Sequence, residues 1–151
     1  MNKYMDLAVR EAMQGSRQGK GGPFGAVIVK DGQVISTACN EVTSSNDPTA
    51  HAEILAIRRA SEKLGTYDLS GCVIYATGEP CPMCLSAIIW ANIKQVFYAL
   101  NAEDAEKIGF RDEKIYRHLR GEEKIVGIEM IESKRAGELY EEYIRLGKKI
   151  Y

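Results

Sequence analysis

A chain of 151 residues with 45% hydrophobic and 27% charged side chains is about one domain long and has the composition of an ordinary globular protein. Its formal charge of -1 supplies no basic excess for a phosphate backbone, which argues against a nucleic-acid partner. Charges at Lys3, Asp6, Arg10 and Glu11 interrupt the N-terminal "MNKYMDLAVREAMQ", so it lacks the apolar run of a secretion signal or a membrane span, and a cytoplasmic protein with reduced cysteines is expected.

Met5, Ala8, Val9, Ala12 and Met13 recur at helical spacing and predict a first core-covering helix that ends near the glycines of "GSRQGKGG". The runs "FGAVIVK" and "QVISTACN" flank Asp31-Gly32, a dipeptide suited to a type I′ turn, and predict a β-hairpin. In "SSNDPTAHAE", Asp47 is placed to cap a helix with Pro48 at its first position, running to Leu64 and stopping at Gly65. "CVIYAT" reads as a buried strand, "EPCPMC" breaks it, "LSAIIWA" reads as a helix and "QVFYAL" as a strand, which implies a parallel crossover.

Beyond that, "AEDAEKIGF" and "DEKIYRHLR" suggest short helices, "KIVGIEMIE" a fifth strand and "AGELYEEYIRLGKK" a terminal helix. The expected architecture is a three-layer α/β/α sandwich around a central mixed sheet of five strands, formed by residues 1–151 as a single domain. Trp90, Met83, Ile88 and Ile89 read as core and dimer-face packing.

The chemistry concentrates in a few side chains. Cys81 and Cys84 stand three residues apart at a strand-to-helix junction, so both sulfurs reach one ion, and the positive end of the helix favours the thiolates that a soft metal requires. A closed structural zinc would need two further ligands nearby, and neither a second C-x-x-C nor a histidine pair is present. One upstream histidine remains, His51. His51, Cys81 and Cys84 would hold Zn2+ by three ligands and leave the fourth position to water, whose pKa zinc lowers toward ~7. Glu53, two residues beyond His51, is then placed to take the water's proton and pass it on. Taken singly, His51 would be a capping or half-buried side chain, as His118 in "YRHLR" is read, and Glu53 a dipole-stabilising charge. Cys72 reads as buried; Cys39, which could complete a closed zinc site as a fourth ligand, cannot point into the same site as its strand neighbour Asn40.

His-Ala-Glu followed by Pro-Cys-x-x-Cys is the signature of zinc-dependent deaminases. "GGPFGAVIVKDG", "TSSNDPTAHAEILAIR", "EPCPMCLSAIIWA", "QVFYAL" and "EDAEKIGFRDEKIY" together resemble the bacterial guanine deaminases of the cytidine-deaminase-like superfamily, over most of the chain through to "KKIY". That resemblance implies hydrolysis of guanine to xanthine and ammonia, with one Zn2+ per subunit, a small nucleobase substrate and no redox cofactor. It implies Asp112 of "GFRD" as a second catalytic carboxylate, accepting from the 2-amino group and assisting its departure. For substrate binding it implies Asn40, whose amide offers a donor and an acceptor to the O6 or N7 edge, with Phe24 as a wall and backbone N–H groups near Ala52 orienting the base. Tyr151 would close the site from a partner subunit through a swapped C-terminal segment, which makes the protein a homodimer.

The same signature serves tRNA adenosine deaminases and other base deaminases, so cytosine, isocytosine-like rings, another aminopurine or tRNA adenosine stand as alternatives. Gly78, where relatives carry a bulkier residue, enlarges the pocket wall in their favour. The near-zero charge with acidic "AEDAE" and "ELYEEY" speaks against the tRNA groove.

Overall fold

A computed structural model of the chain describes residues 2–151. In order these form α1 (Lys3–Arg17), β1 (Gly25–Lys30), β2 (Gln33–Cys39), α2 (Val42–Ser45), α3 (Ala52–Leu64), β3 (Cys72–Gly78), α4 (Pro82–Trp90), β4 (Gln95–Leu100), α5 (Ala102–Lys107), α6 (Asp112–Leu119) and α7 (Lys134–Arg145). The sheet runs β2-β1-β3-β4. β1 is antiparallel to both β2 and β3, and β3 is parallel to β4 through α4, the crossover that the strand-helix-strand pattern predicts.

Asp31 at φ 50° and Gly32 at φ 76° both lie in the left-handed region, as the turn between β1 and β2 requires. Along β1 the side chains alternate between two dry faces. Ala26 and Ile28 pack with Ala52, Ala56 and Ala60 of α3 and Ile88 of α4, whereas Val27 and Val29 pack with Ala8 of α1 and Tyr75 of β3. A sheet buried on both sides is the middle layer of an α/β/α sandwich.

Helix α1 presents a different stripe from the one expected. Ala8, Ala12 and Gly15 are buried, whereas Val9 and Met13 are 39% and 47% exposed. A Cβ at Gly25 would overlap the carbonyl of Ala8, so helix and strand meet backbone to backbone, and only small residues fit that seam. The helix over Pro48–Leu64 is also shortened. Asp47 caps a turn instead, its Oδ1 accepting from the Thr49 N–H at 2.8 Å and the Thr49 hydroxyl at 2.7 Å, and α3 begins at Ala52 with His51 as N-cap.

The sheet has four strands, not five. Residues 124–132, the expected fifth strand, are irregular and, among the described residues, pair with no strand. From Lys124 onward every described side chain is exposed, with Ile128, Met130 and Ile131 at 87–90%. Edge strand β4 correspondingly leaves Phe97, Tyr98 and Leu100 exposed. Of the helical cluster at 83–90, Ile88 is core, Met83 packs against the cysteines, and Ile89 and Trp90 are exposed. Among the described residues no helix is long and apolar enough to cross a membrane.

Candidate active site

Helices α3 and α4 open on residues that can bind metal. His51 is the N-cap of α3 and Cys81 the N-cap of α4, both in extended backbone, and neither side chain makes a capping hydrogen bond. Both are therefore free to turn toward each other. Pro82 at the first position of α4 fixes where that helix starts, which carries Cys84 onto the same side one turn later. The result is a cluster in which one ligand atom from each of His51, Cys81 and Cys84 lies within 4.8 Å of the others.

The spacing fits zinc. His51 Nδ1 is 3.6 Å from Cys81 Sγ and 3.5 Å from Cys84 Sγ. Bond lengths of ~2.3 Å to sulfur and ~2.0–2.1 Å to nitrogen at a tetrahedral angle place N and S about 3.5 Å apart. The two sulfurs sit in different electrostatic states. A hydrogen bond from Cys84, joined by the one with His51, holds the Cys81 thiol well below the usual thiol range against the opposing effect of burial. The same bond, reinforced by burial and Glu53, raises Cys84. Two helix N-termini at the cluster add partial positive charge that favours thiolate. His51 is raised, first by its bond to Cys81.

Glu53, in the first turn of α3, is 7% exposed. Burial, joined by the charge at Cys81, pushes its carboxyl up to about 7. A carboxyl in that range both accepts and releases a proton near neutral pH.

His51, Glu53 and Cys81 line a cleft of about 330 Å³ whose walls also include Phe24, Asn40, Gly78, Glu79, Phe110 and Asp112. Asn40 is 3% exposed, and its Oδ1 accepts from the Gly22 N–H at 3.2 Å and the Val42 N–H at 3.1 Å. With the oxygen committed to two backbone donors, the amide orientation is fixed, and its Nδ2 donor is the part left for a ligand. Phe24 meets Phe110 edge to face with ring centroids 4.7 Å apart. Gly22 and Gly78 lie close to this pair: a Cβ at Gly22 would stand 2.8 Å from Phe110 Cζ, and one at Gly78 3.3 Å from Phe24 Cδ1. Gly78 thus makes room for an aromatic wall and does not simply widen the cleft.

Asp112 lines the same cleft as the first residue of α6, while Arg111 occupies the cap position. Burial, then the charge at Cys81, raises its carboxyl above the ordinary range. Tyr116, one turn on, donates its hydroxyl to the Pro80 carbonyl at 2.7 Å, and burial pushes that hydroxyl up to about 12.

Three of the expected site residues do not line this cleft. Cys84 is fully buried and joins the cluster through its Sγ, 3.5 Å from His51 Nδ1. The Ala52 side chain is fully buried in the core, so only its backbone N–H, among the free donors at the start of α3, can reach a ligand. Tyr151 stands in a separate cleft of its own chain, with ring centroids 6.0 Å from Trp90 and 6.1 Å from Tyr67. Cys39 is buried against Gly15 and Glu41, turned away from Asn40's side of the strand, and His118 accepts from the Ile125 N–H at 3.1 Å as a structural tether. Glu79 and Phe110 are wall residues that spacing alone did not single out, although both lie within quoted motifs.

Comparison with known proteins agrees with this geometry. The cytidine and deoxycytidylate deaminase zinc-binding region matches residues 1–100. Guanine deaminase of Bacillus subtilis (strain 168) is 54% identical over 116 residues, 77% of this chain and 74% of that protein. A tRNA-specific adenosine deaminase of Aquifex aeolicus (strain VF5) is 45% identical over 96 residues, 64% of this chain and 63% of that protein. The crystal structure of guanine deaminase from Bacillus subtilis superposes with a TM-score of 0.92 at 44% identity, over 100% of this chain and 99% of that one. The matched region carries the histidine and both cysteines of the cluster, and the chain belongs to the cytidine and deoxycytidylate deaminase zinc-binding family.

Proposed function

We propose that the protein hydrolyses guanine to xanthine and ammonia, in purine salvage or catabolism. The observation that carries this reading is the pairing of a His-Cys-Cys cluster with Glu53 beneath a cleft whose wall combines Asn40 and Asp112. Likeness to a guanine deaminase over the whole chain supports it. His51, Cys81 and Cys84 would hold one zinc ion per subunit, which when bound supplies an acidified water at neutral pH.

The chain's own groups account for the remaining steps. Asn40 Nδ2 donates to the O6 or N7 edge of the purine, and the backbone N–H at Ala52 orients the ring. Phe24 walls its face. Glu53 removes the proton from the attacking water and delivers it to ring N3 as the new C–O bond forms at C2. Asp112 accepts from the 2-amino group, and Glu53, ionised again after serving N3, carries the proton of the new C2 hydroxyl to that nitrogen, so that the C2 carbonyl forms as the C–N bond breaks and ammonia leaves. A cleft with one edge donor and aromatic walls suits a free base, and the protein's charge of -1 offers nothing to a tRNA backbone.

The active unit is a homodimer that exchanges its C-terminal segments. An arm exposing Ile128, Met130 and Ile131 at 87–90%, together with the open β4 edge and its exposed Phe97, Tyr98 and Leu100, leaves hydrophobic surface that a second copy can cover. The partner subunit's Tyr151 would then close the cleft. The likeness to the guanine deaminase crystal structure extends over this arm, which supports the arrangement.

Ammonia release from guanine, guanosine, adenine, cytosine and a tRNA anticodon stem tests the substrate. Guanine is expected to be turned over at least ~10²-fold faster than the others, since a site built to hydrogen-bond one base edge rejects analogues that leave its polar groups unpaired. Guanine inert with another substrate active would overturn the assignment.

A further inference from the structure

Helix α6 carries Asp112, yet no side chain of the helix is buried. Its charged side chains bind outward, Arg117 to Glu106 of α5 and to Glu123, and Lys114 to Glu123. Among the described residues, the Tyr116 hydroxyl to the Pro80 carbonyl is the one hydrogen bond from an α6 side chain to the sheet-and-helix body that ends at β4. Pro80 immediately precedes Cys81, and Tyr116 lies one helical turn beyond Asp112. The same two-residue stretch is held from its other side: the Glu79 N–H donates to the Leu100 carbonyl at 2.7 Å, and Glu79 Oε2 accepts from the Ala102 N–H at 3.0 Å. The segment leading into the cysteine turn is therefore a fixed anchor, and α6 is fastened to it at a single polar point.

We propose that Tyr116 is a positioning residue: by donating to the Pro80 carbonyl it sets the place of Asp112 relative to the Cys81–Cys84 turn. This rests on the reading that Asp112 acts on the substrate. An Asp112 free to drift by an ångström with its helix would lose much of its effect, because reacting groups must be held close to their productive geometry. The apolar tether between Phe110 and Phe24 limits such drift at the helix start but cannot fix its rotation.

The test compares wild type, Tyr116→Phe, Asp112→Asn and the double variant as full-length zinc-loaded proteins. Tyr116→Phe keeps the ring and removes the donor. It is expected to lower kcat for guanine about three- to tenfold, the effect of one lost hydrogen bond, with zinc content and the far-ultraviolet spectrum unchanged. In the Asp112→Asn background the same substitution is expected to change nothing, which a merely structural role would not produce. If Asp112→Asn turns over too slowly to read, the comparison is made on the dissociation constant for guanine, with turnover suppressed by Glu53→Gln in all four proteins and the same non-additivity expected. Equal effects in both backgrounds, loss of zinc in Tyr116→Phe, or an unchanged kcat would each overturn the proposal while leaving the Asp112 reading intact. Full activity of Asp112→Asn itself would instead remove that reading, and this proposal with it.

Discussion

His51 Nδ1 and Cys81 Sγ stand 3.6 Å apart although 30 residues separate them in the chain. The two are brought together because each caps a neighbouring helix of the same layer, so the start of α3 and the start of α4 define one point in space. A metal placed there ties the two helices together and contributes to folding as well as chemistry. Exhaustive chelation is therefore expected to abolish ammonia release and to lower Tm by several degrees. His51→Ala should do the same, with zinc content by atomic emission falling from about one per chain to less than a tenth. Apoprotein with full activity would contradict the assignment.

Glu53 separates catalysis from metal binding. Glu53→Gln keeps the side chain's volume and removes its ability to exchange protons, so turnover should fall about 10²–10⁴-fold. Zinc content and Tm should hold within error, because the carboxyl is no ligand in the proposed set. Turnover persisting in this variant, measured as ammonia release per zinc, would show that the proton moves by another route.

Asn40 offers a sharper test of the base edge. In Asn40→Asp the retained oxygen still accepts from the Gly22 and Val42 N–H groups, while the Nδ2 donor becomes a second acceptor. The fold should survive, and KM for guanine should rise roughly 10- to 100-fold from the cost of an unmatched buried polar group. Asn40→Leu should instead destabilise the protein itself, because two backbone donors lose their partner. Thermal melting distinguishes the two variants, and an Asn40→Asp enzyme with unchanged KM would remove Asn40 from substrate recognition.

The His-Cys-Cys cluster was legible in the sequence because its rules are local: C-x-x-C at a helix start aims two sulfurs one way, and the lack of a second pair left His51. The hairpin at Asp31-Gly32 was legible for the same reason, since two left-handed residues dictate the turn. The seam of α1 was not, because it is decided by the missing Cβ of Gly25 on another element. Nor was the support of α6, since Tyr116 and Pro80 lie 36 residues apart and no periodicity links them. The pattern "KIVGIEMIE" reads as a strand by its alternation, yet a strand forms only where it pairs, and among the described residues this segment pairs with no edge of the sheet.

That segment yields the most demanding prediction. If the arms exchange, each cleft is built from one chain's Glu53 and the other chain's Tyr151, and two defective chains can restore each other. One chain carries Glu53→Gln with its tail intact; the other keeps Glu53 but ends after Lys148. Neither homodimer should be fully active, the first lacking its proton carrier and the second its closing residue. Co-expressed at equal levels with distinct purification tags, they should form heterodimers in which one cleft of two is complete, and the random mixture should recover about a quarter of wild-type activity. In an arrangement where each tail serves its own cleft, Tyr151 and Glu53 are never intact together and no recovery occurs. The within-chain position of Tyr151, beside Trp90 and outside the cleft of His51, favours recovery. Light scattering should accordingly give twice the chain mass of 16.8 kDa.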